Sequence, residues 1–255
     1  TIVNMEGTLT DETAREAKTF AFKAPSEYAS ILSGSSIEAA NLANNHSHDY
    51  GEKSYTDTIS ALEDAGITSF GYNRIKILKI KGIKVGVTGI YELADHQKRA
   101  SQVKQNIKAL KKAGAQVIIV NFHWGIEKQY TPDENQKALA HLAVDEGADL
   151  VIGHHPHVLE GIEEYNGKYI CYSLGNFWFD EYNVDTMLVN IRISGNDYGD
   201  KIDVSVVPAV QDGTLQGCVT HICTQEEDKS RIFSLLNKVS INANVADDGT
   251  VTQVK

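Results

Sequence analysis

The chain has nine histidines, and five of them crowd into three short stretches: Asn44-Asn45-His46, Phe122-His123-Trp124-Gly125 and Gly153-His154-His155-Pro156-His157. Each stretch follows a run that reads as a buried strand, so each imidazole lies just past a strand end. Imidazole is the commonest protein ligand for borderline cations such as Mn, Zn or Fe. Three strand ends that all carry it suggest one shared metal site. His155 and His157 are two apart and share a face if the backbone is extended. Pro156 stiffens that geometry by fixing its φ, and His154 then points the other way, as a supporting group or a bystander. The bland alternative is a polar loop whose histidines bond to water and backbone.

The other stretches are ambiguous alone and informative together. A lone His123 after an apolar strand is more often structural, and the other clusters shift the balance to ligation. Asn45 offers an amide oxygen to a metal, and His46 beside it suits a general acid. Asp49, three residues on, could hold that imidazole in one tautomer. Taken by itself Asn44-Asn45 reads as a turn. Glu6 would supply a negative ligand able to bridge two cations, although a glutamate near a chain start is usually a surface residue. Ser173 and Asn176, in Ser173-Leu174-Gly175-Asn176-Phe177, offer a hydroxyl and an amide to a substrate; a structural turn explains them equally well. Lys23 could reach an anionic group or belong to a solvated face. His48, His96, His141 and His221 have no role in this reading.

Composition narrows the classes. The chain has 255 residues, 42% of them hydrophobic and 23% charged, which is ordinary for a globular protein. Its formal net charge of −10 and lack of a basic tract argue against nucleic acid as a partner. An anionic substrate would need a local positive centre. Cys171, Cys218 and Cys223 show no CxxC spacing, which argues against a disulfide framework and a thiolate metal site. No apolar stretch approaches the ~18–20 residues needed to span a bilayer. No GxSxG elbow, Walker loop or strand-following GxGxxG is present. The chain opens on Thr1 and reads as a piece of a longer precursor.

The elements that must position these groups follow from periodicity. Strands are expected at Thr1–Val3, Phe20–Pro25, Ile37–Leu42, Ile67–Phe70, Val117–Phe122, Leu150–Ile152 and Tyr169–Ser173, with a hairpin of Ile75–Ile80 and Val85–Ile90 across Lys81-Gly82. Helices are expected near Ser26–Leu32, over Tyr55–Ala65 and Gln97–Lys112, from Pro132 to Glu146, and near Glu226–Lys238. Thr8–Lys18 reads as polar loop. Met187–Ile193, Ile202–Val207 and Leu215–Thr224 add strands to the last third. The pattern predicts one compact α/β domain over residues 1–255, with two packed sheets and helices outside.

With its motifs in order over roughly residues 1–180, the chain resembles the bacterial capsule synthesis family of CapA type, which is tied to poly-γ-glutamate capsule production and export. The likeness rests on Asn4-Met5-Glu6, Phe20 to Pro25, Leu42 to His46 with Asp49-Tyr50-Gly51, His123-Trp124-Gly125, Gly153 to His157, and Tyr172 to Phe177. It implies a calcineurin-like metallophosphoesterase fold, a four-layer αββα sandwich of two mixed sheets flanked by helices, with a two-metal site at the strand ends. By motif, Asn45, His123, His155 and His157 would be metal ligands, Glu6 would stand where relatives use a bridging Asp, and His46 would protonate the leaving group. Family members begin with a strand ending in Gly-Asp, and this chain starts after it, so an N-terminal strand and one ligand are expected to be missing. The implied activity is metal-dependent hydrolysis of phosphoester type. The substrate would be an anionic polymer or phosphoester, and the partners other capsule synthesis or export proteins. The implied location is the cell surface, through an N-terminal membrane anchor outside this sequence. The rival expectation is a non-catalytic polymer-binding or assembly subunit that retains the fold.

Overall fold

The computed structural model describes residues 1–179, 183–194, 201–214 and 217–254. Its first part runs β1 (Ile2–Asn4), β2 (Thr8–Leu9), β3 (Lys23–Ala24), α1 (Ala29–Gly34), β4 (Ala39–Asn41), α2 (Gly51–Asp64) and β5 (Thr68–Phe70). The middle runs β6 (Lys76–Ile80), β7 (Ile83–Glu92), α3 (His96–Lys112), β8 (Val117–Trp124), α4 (Glu134–Asp145), β9 (Leu150–His154), β10 (Ile162–Tyr165) and β11 (Lys168–Cys171). The last part holds β12 (Val184–Ser194), β13 (Lys201–Thr214), β14 (Gly217–Ile222), α5 (Glu226–Val239), β15 (Ala243–Val245) and β16 (Val251–Gln253).

The central sheet has six strands in the order β10-β11-β9-β8-β7-β6. Its inner strands β7, β8, β9 and β11 are parallel, and antiparallel hairpins form both edges. The β6–β7 turn carries positive φ at both Lys81 (50°) and Gly82 (91°), the geometry that suits the twist of a two-residue hairpin. A parallel β1-β4-β5 sheet and an antiparallel β12-β13-β14 sheet are separate ladders. The described residues form a mixed six-stranded sheet, these two three-stranded ones and two two-stranded ribbons, β2-β3 and β15-β16.

The alternation of β8 explains the layering. Val117 and Ile119 enter one core with Ala39, Phe70, Val204, Val206 and Phe233, drawing the three larger sheets and α5 together. Ile118, Val120, Phe122 and Trp124 face the opposite way, against Val103, Ile107 and Leu110 of α3 and Leu139 and Ala143 of α4. A third core places Ala40 and Leu42 against Leu62 of α2 and Ala29 of α1. A strand buried on both faces favours apolar residues on both, which is why Val117–Val120 lacks polar alternation before the buried Asn121. His123 has the parity of Val117 and Ile119, so it faces the inter-sheet core.

Most sequence-read elements occur, with shifted ends. Helix α2 begins at Gly51 rather than Tyr55, and α4 starts after a reciprocal cap in which Asp133 and Gln136 each accept the other's backbone N–H, leaving Pro132 outside. Strands β10, β15 and β16 gave no legible alternation. Leu215, the expected start of the β14 strand, lies outside the described residues.

Gly153 is where β9 is tightest: an added Cβ would lie 1.9 Å from the Tyr172 carbonyl oxygen and 2.4 Å from Trp124 Nε1. Those two atoms are themselves hydrogen-bonded at 2.9 Å. Gly153→Ala is expected to cost about 2–4 kcal/mol of stability by overpacking and loss of this bond, read as a lowered urea midpoint. An unshifted midpoint would contradict the packing described.

Candidate metal centre

Three strand ends and two loops build the site. Strand β8 delivers His123, which is completely buried. Its Nε2 lies 2.6 Å from Asn45 Oδ1 in the loop after β4, and 3.7 Å from Glu6 Oε1 beyond β1. The loop after β9 brings His155, whose ring centroid is 4.8 Å from that of His123 and 5.7 Å from that of His157. His157 Nε2 faces the same Glu6 oxygen at 3.8 Å. Glu6, Asn45, His123, His155 and His157 therefore converge.

The way His155 and His157 converge differs from the sequence reading. Strand β9 ends at His154, and the next turn sets φ to 101° at His155 and 59° at His157, so neither is extended. Left-handed backbone in a residue with a Cβ costs on the order of 1–3 kcal/mol and concentrates at functional sites. His154 pairs in register with His123, so extended alternation stops there and gives no guide to the orientation of the next two imidazoles.

The donors fall into two groups. Glu6, His123 and His155 each present a ligand atom within 4.8 Å of the others, and so do Glu127, His155 and His157. Glu127 was not foreseen from sequence; its only signal is its place just past His123-Trp124-Gly125. Gly125 (φ 81°) turns the chain out of β8 where a Cβ would meet the Gln136 amide at 2.8 Å, so glycine is required there.

Electrostatics fit the donor set. Glu6 is pushed up to about 8, first by burial and then by the charges of Glu127 and Asp49. Burial, reinforced by neighbouring imidazoles, holds His123 well below its ordinary value and His155 down at about 4. Burial alone takes His154 to about 4. Glu6 Oε1, His123 Nδ1 and His155 Nδ1 are buried without a hydrogen-bond partner, an arrangement that costs on the order of 1–3 kcal/mol per atom. Neutral imidazoles and a carboxylate with unmet acceptors are what a divalent cation requires, so the residues fit one.

The supporting groups are well defined. His46 Nδ1 lies 2.8 Å from Asp49 Oδ2, and as the carboxylate can only accept, the imidazole proton sits on Nδ1. Asp49 is fully buried; burial pushes its carboxyl up, but bonds from His46, the Lys18 ammonium (2.5 Å) and the Phe22 amide (2.6 Å) outweigh that and hold it below its usual value. Lys18 also donates to the Asn45 carbonyl at 2.7 Å. It falls in the stretch that reads as featureless loop, and nothing local marks it. Asn44 ties the Met5 carbonyl and the His46 amide together, fixing Glu6 beside the Asn45-His46 loop. Asn176 Oδ1 is 2.8 Å from His157 Nδ1 and orients that ring. The Ser173 hydroxyl donates to the Val158 carbonyl at 2.7 Å, and exposed Lys23 donates to the Glu12 carbonyl and lies over the Tyr50 ring. Neither of the last two contacts joins the cluster.

The family model described as bacterial capsule synthesis protein PGA_cap matches residues 1–181. The chain belongs to this family. It is 35% identical over 224 residues to the capsule biosynthesis protein CapA of Bacillus anthracis, covering 78% of this chain and 53% of that protein. It is 32% identical over 198 residues to the PGA biosynthesis protein CapA of Bacillus subtilis (strain 168), covering 68% and 51%. The chain thus spans about half the length of these relatives. Among solved structures, a hypothetical protein from Thermus thermophilus is 12% identical with a TM-score of 0.37, covering 78% of this chain and 92% of that one.

Between its ordinary value of 4.5 and about 8, folded protein stripped of metal keeps a proton on Glu6 that the unfolded chain has given up. That contribution to stability therefore falls as pH rises through this window, and a cation bound by Glu6 displaces the proton. At about pH 7, manganese or zinc binding is expected to release about one proton, read by calorimetry in buffers of different ionisation enthalpy; Glu6→Gln abolishes the release. Buffer-independent heat in the wild type would remove Glu6 from the ligand set.

Proposed function

We propose that the chain is a metal-dependent hydrolase of phosphoesterase type, built as a four-layer αββα sandwich and acting in capsule or poly-γ-glutamate production or export at the cell surface. The observation that carries this reading is the convergence of Glu6, His123 and His155, with three buried atoms lacking partners, beside an acid-like His46–Asp49 pair. Glu6, Asn45, His123 and His155 would hold one cation of the Mn, Zn or Fe type, and Glu127, His155 and His157 offer donors for a second. Such cations supply positive charge against a phosphoryl oxygen and ease the loss of a proton from water.

The protein's own groups account for the rest. Asp49 keeps one proton on His46 Nδ1, so the proton delivered to the departing oxygen is a second one, carried on Nε2 of the imidazolium. Lys18 neutralises Asp49 and pins the Asn45 carbonyl, so the acid and the amide ligand move as one piece. Asn176 sets the ring plane of His157. An acidic chain gains from such a site a local attraction for an anionic substrate.

A second reading keeps the fold and binds polymer or partner proteins without turnover; the relatives' names, which speak of biosynthesis and not of hydrolysis, favour it. No helix among the described residues is long and apolar enough to cross a membrane, and attachment through a membrane anchor elsewhere in the full protein is part of the proposal.

Purified protein is expected to carry Mn, Zn or Fe by elemental analysis and to hydrolyse bis(4-nitrophenyl) phosphate until chelated. His46→Ala is expected to lower turnover by about 10²–10⁴-fold with metal content retained. Undiminished turnover in His46→Ala rules out its role as the acid. Chelator-insensitive binding of poly-γ-glutamate, without hydrolysis, selects the second reading.

A further inference from the structure

Two aromatic rings stand on the acid side of the site, and the metal centre makes no use of them. The Phe22 ring centroid is 4.4 Å from that of His46 and 5.4 Å, edge-on, from that of Phe179. Phe179 in turn lies 4.9 Å from the His157 ring. The pair spans the gap between the proton donor and a ligand of the opposite strand end, and both rings are part-exposed rather than sealed in a core.

Each ring is held through its backbone. The Phe22 amide donates to Asp49 Oδ2 at 2.6 Å, and its carbonyl accepts from the Thr8 amide (3.1 Å) and hydroxyl (3.0 Å). The Phe179 carbonyl accepts from Gln211 Nε2 and Cys218 Sγ, both at 2.7 Å. Next to it, Trp178 Nε1 donates to the Cys218 carbonyl at 3.1 Å, and the Phe177 carbonyl accepts from Thr220. Of seven phenylalanines and two tryptophans in the chain, Phe20, Phe22, Phe177, Trp178 and Phe179 lie on these two segments. Anchored backbone under part-exposed rings is the form of a preorganised binding surface.

Charge decides what such a surface accepts. The Asp49 carboxylate accepts the Phe22 amide, Glu6 faces the His157 ring that Phe179 packs against, and Lys18 already serves Asp49 and the Asn45 carbonyl. Aromatic faces are themselves electronegative and favour stacking over contact with anions.

We propose that Phe22 and Phe179 form the leaving-group subsite, and that it takes an uncharged, ring-bearing alcohol, aryl or sugar. This rests on the hydrolase reading, since a group protonated by His46 must depart beside His46. In the step it serves, the water oxygen forms the new P–O bond and the bond to the leaving oxygen breaks. That oxygen keeps the electron pair and takes the proton from His46 Nε2, and the proton given up by water restores His46.

Two arms test it on the full chain. Without turnover, 4-fluorophenol binding is followed by fluorine NMR in the presence of chelator, with the anionic 4-fluorobenzoate as comparison. The wild type is expected to bind the phenol at least about tenfold more tightly than the benzoate, and Phe179→Ala to weaken phenol binding about tenfold, on the scale of one ring contact. With metal, Phe179→Ala is expected to raise KM for bis(4-nitrophenyl) phosphate about tenfold, more than it lowers kcat. Phe22→Leu, which keeps an apolar body against His46, gives a smaller rise, and the exposed Phe20→Ala gives none. Equal phenol binding in the wild type and Phe179→Ala overturns the subsite whatever turnover does, and equal binding of phenol and benzoate overturns its preference for uncharged groups. A wild type that binds the phenol but turns nothing over sinks the hydrolase reading instead.

Discussion

One carboxyl group and two imidazoles share a largely buried volume, and the rest of the site is arranged around that fact. Burial makes Glu6 hold its proton and strips protons from His123 and His155, so the three sit together uncharged. Neutralisation lowers the cost of bringing them together, since ionised groups without partners would be far more expensive. It leaves Glu6 Oε1, His123 Nδ1 and His155 Nδ1 buried without partners, a deficit that a cation would remove. The left-handed φ of His155 and His157 adds strain of the same kind. Both costs are tolerated because the surrounding sheets over-determine the position of every ligand.

Asp49 is the second fixed point, and it works in the opposite sense. Its buried carboxylate collects donors from His46, Lys18 and Phe22, three bonds to one ionised group. Charge-assisted bonds of this kind are about twice as strong as neutral ones, whereas exposed pairs such as Lys53–Asp57 add little. Through Asp49 the segment around Lys18 and Phe22 is joined to the Asn45-His46 loop, so Asn45, His46 and Phe22 are held in one network. Removing this carboxylate would loosen all three at once.

The family match ends at residue 181, yet the chain beyond it is not an appendage. Val204 and Val206 of β13 and Ile232, Phe233 and Leu236 of α5 enter the same core as Val117 and Ile119. Gln211 and Cys218 grip the carbonyl of Phe179. The C-terminal strands therefore close the core beneath the site and orient one of its walls.

The sequence by itself determined the α/β class, the buried parallel strands and the β6–β7 hairpin, and it pointed to Asn45, His46, His123, His155 and His157, whose side chains the fold gathers at one end of the strands. These were legible because strand burial writes an apolar run and its end writes a polar break, both local signals. Asp49 was legible as the partner of His46, three residues away, and Glu6 as chemistry but not as a neighbour of the imidazoles. Lys18, Glu127, Phe22 and Phe179 entered the site only in three dimensions, since no local pattern distinguishes a loop lysine or an exposed phenylalanine from its equivalents elsewhere. Tertiary structure also decided that Ser173 bonds the Val158 carbonyl, that Lys23 turns to Glu12, and that His155 and His157 meet through left-handed rather than extended backbone. The physical reason is common to all of them: side-chain direction past a strand end depends on what the loop packs against, and that is supplied by residues distant in the chain.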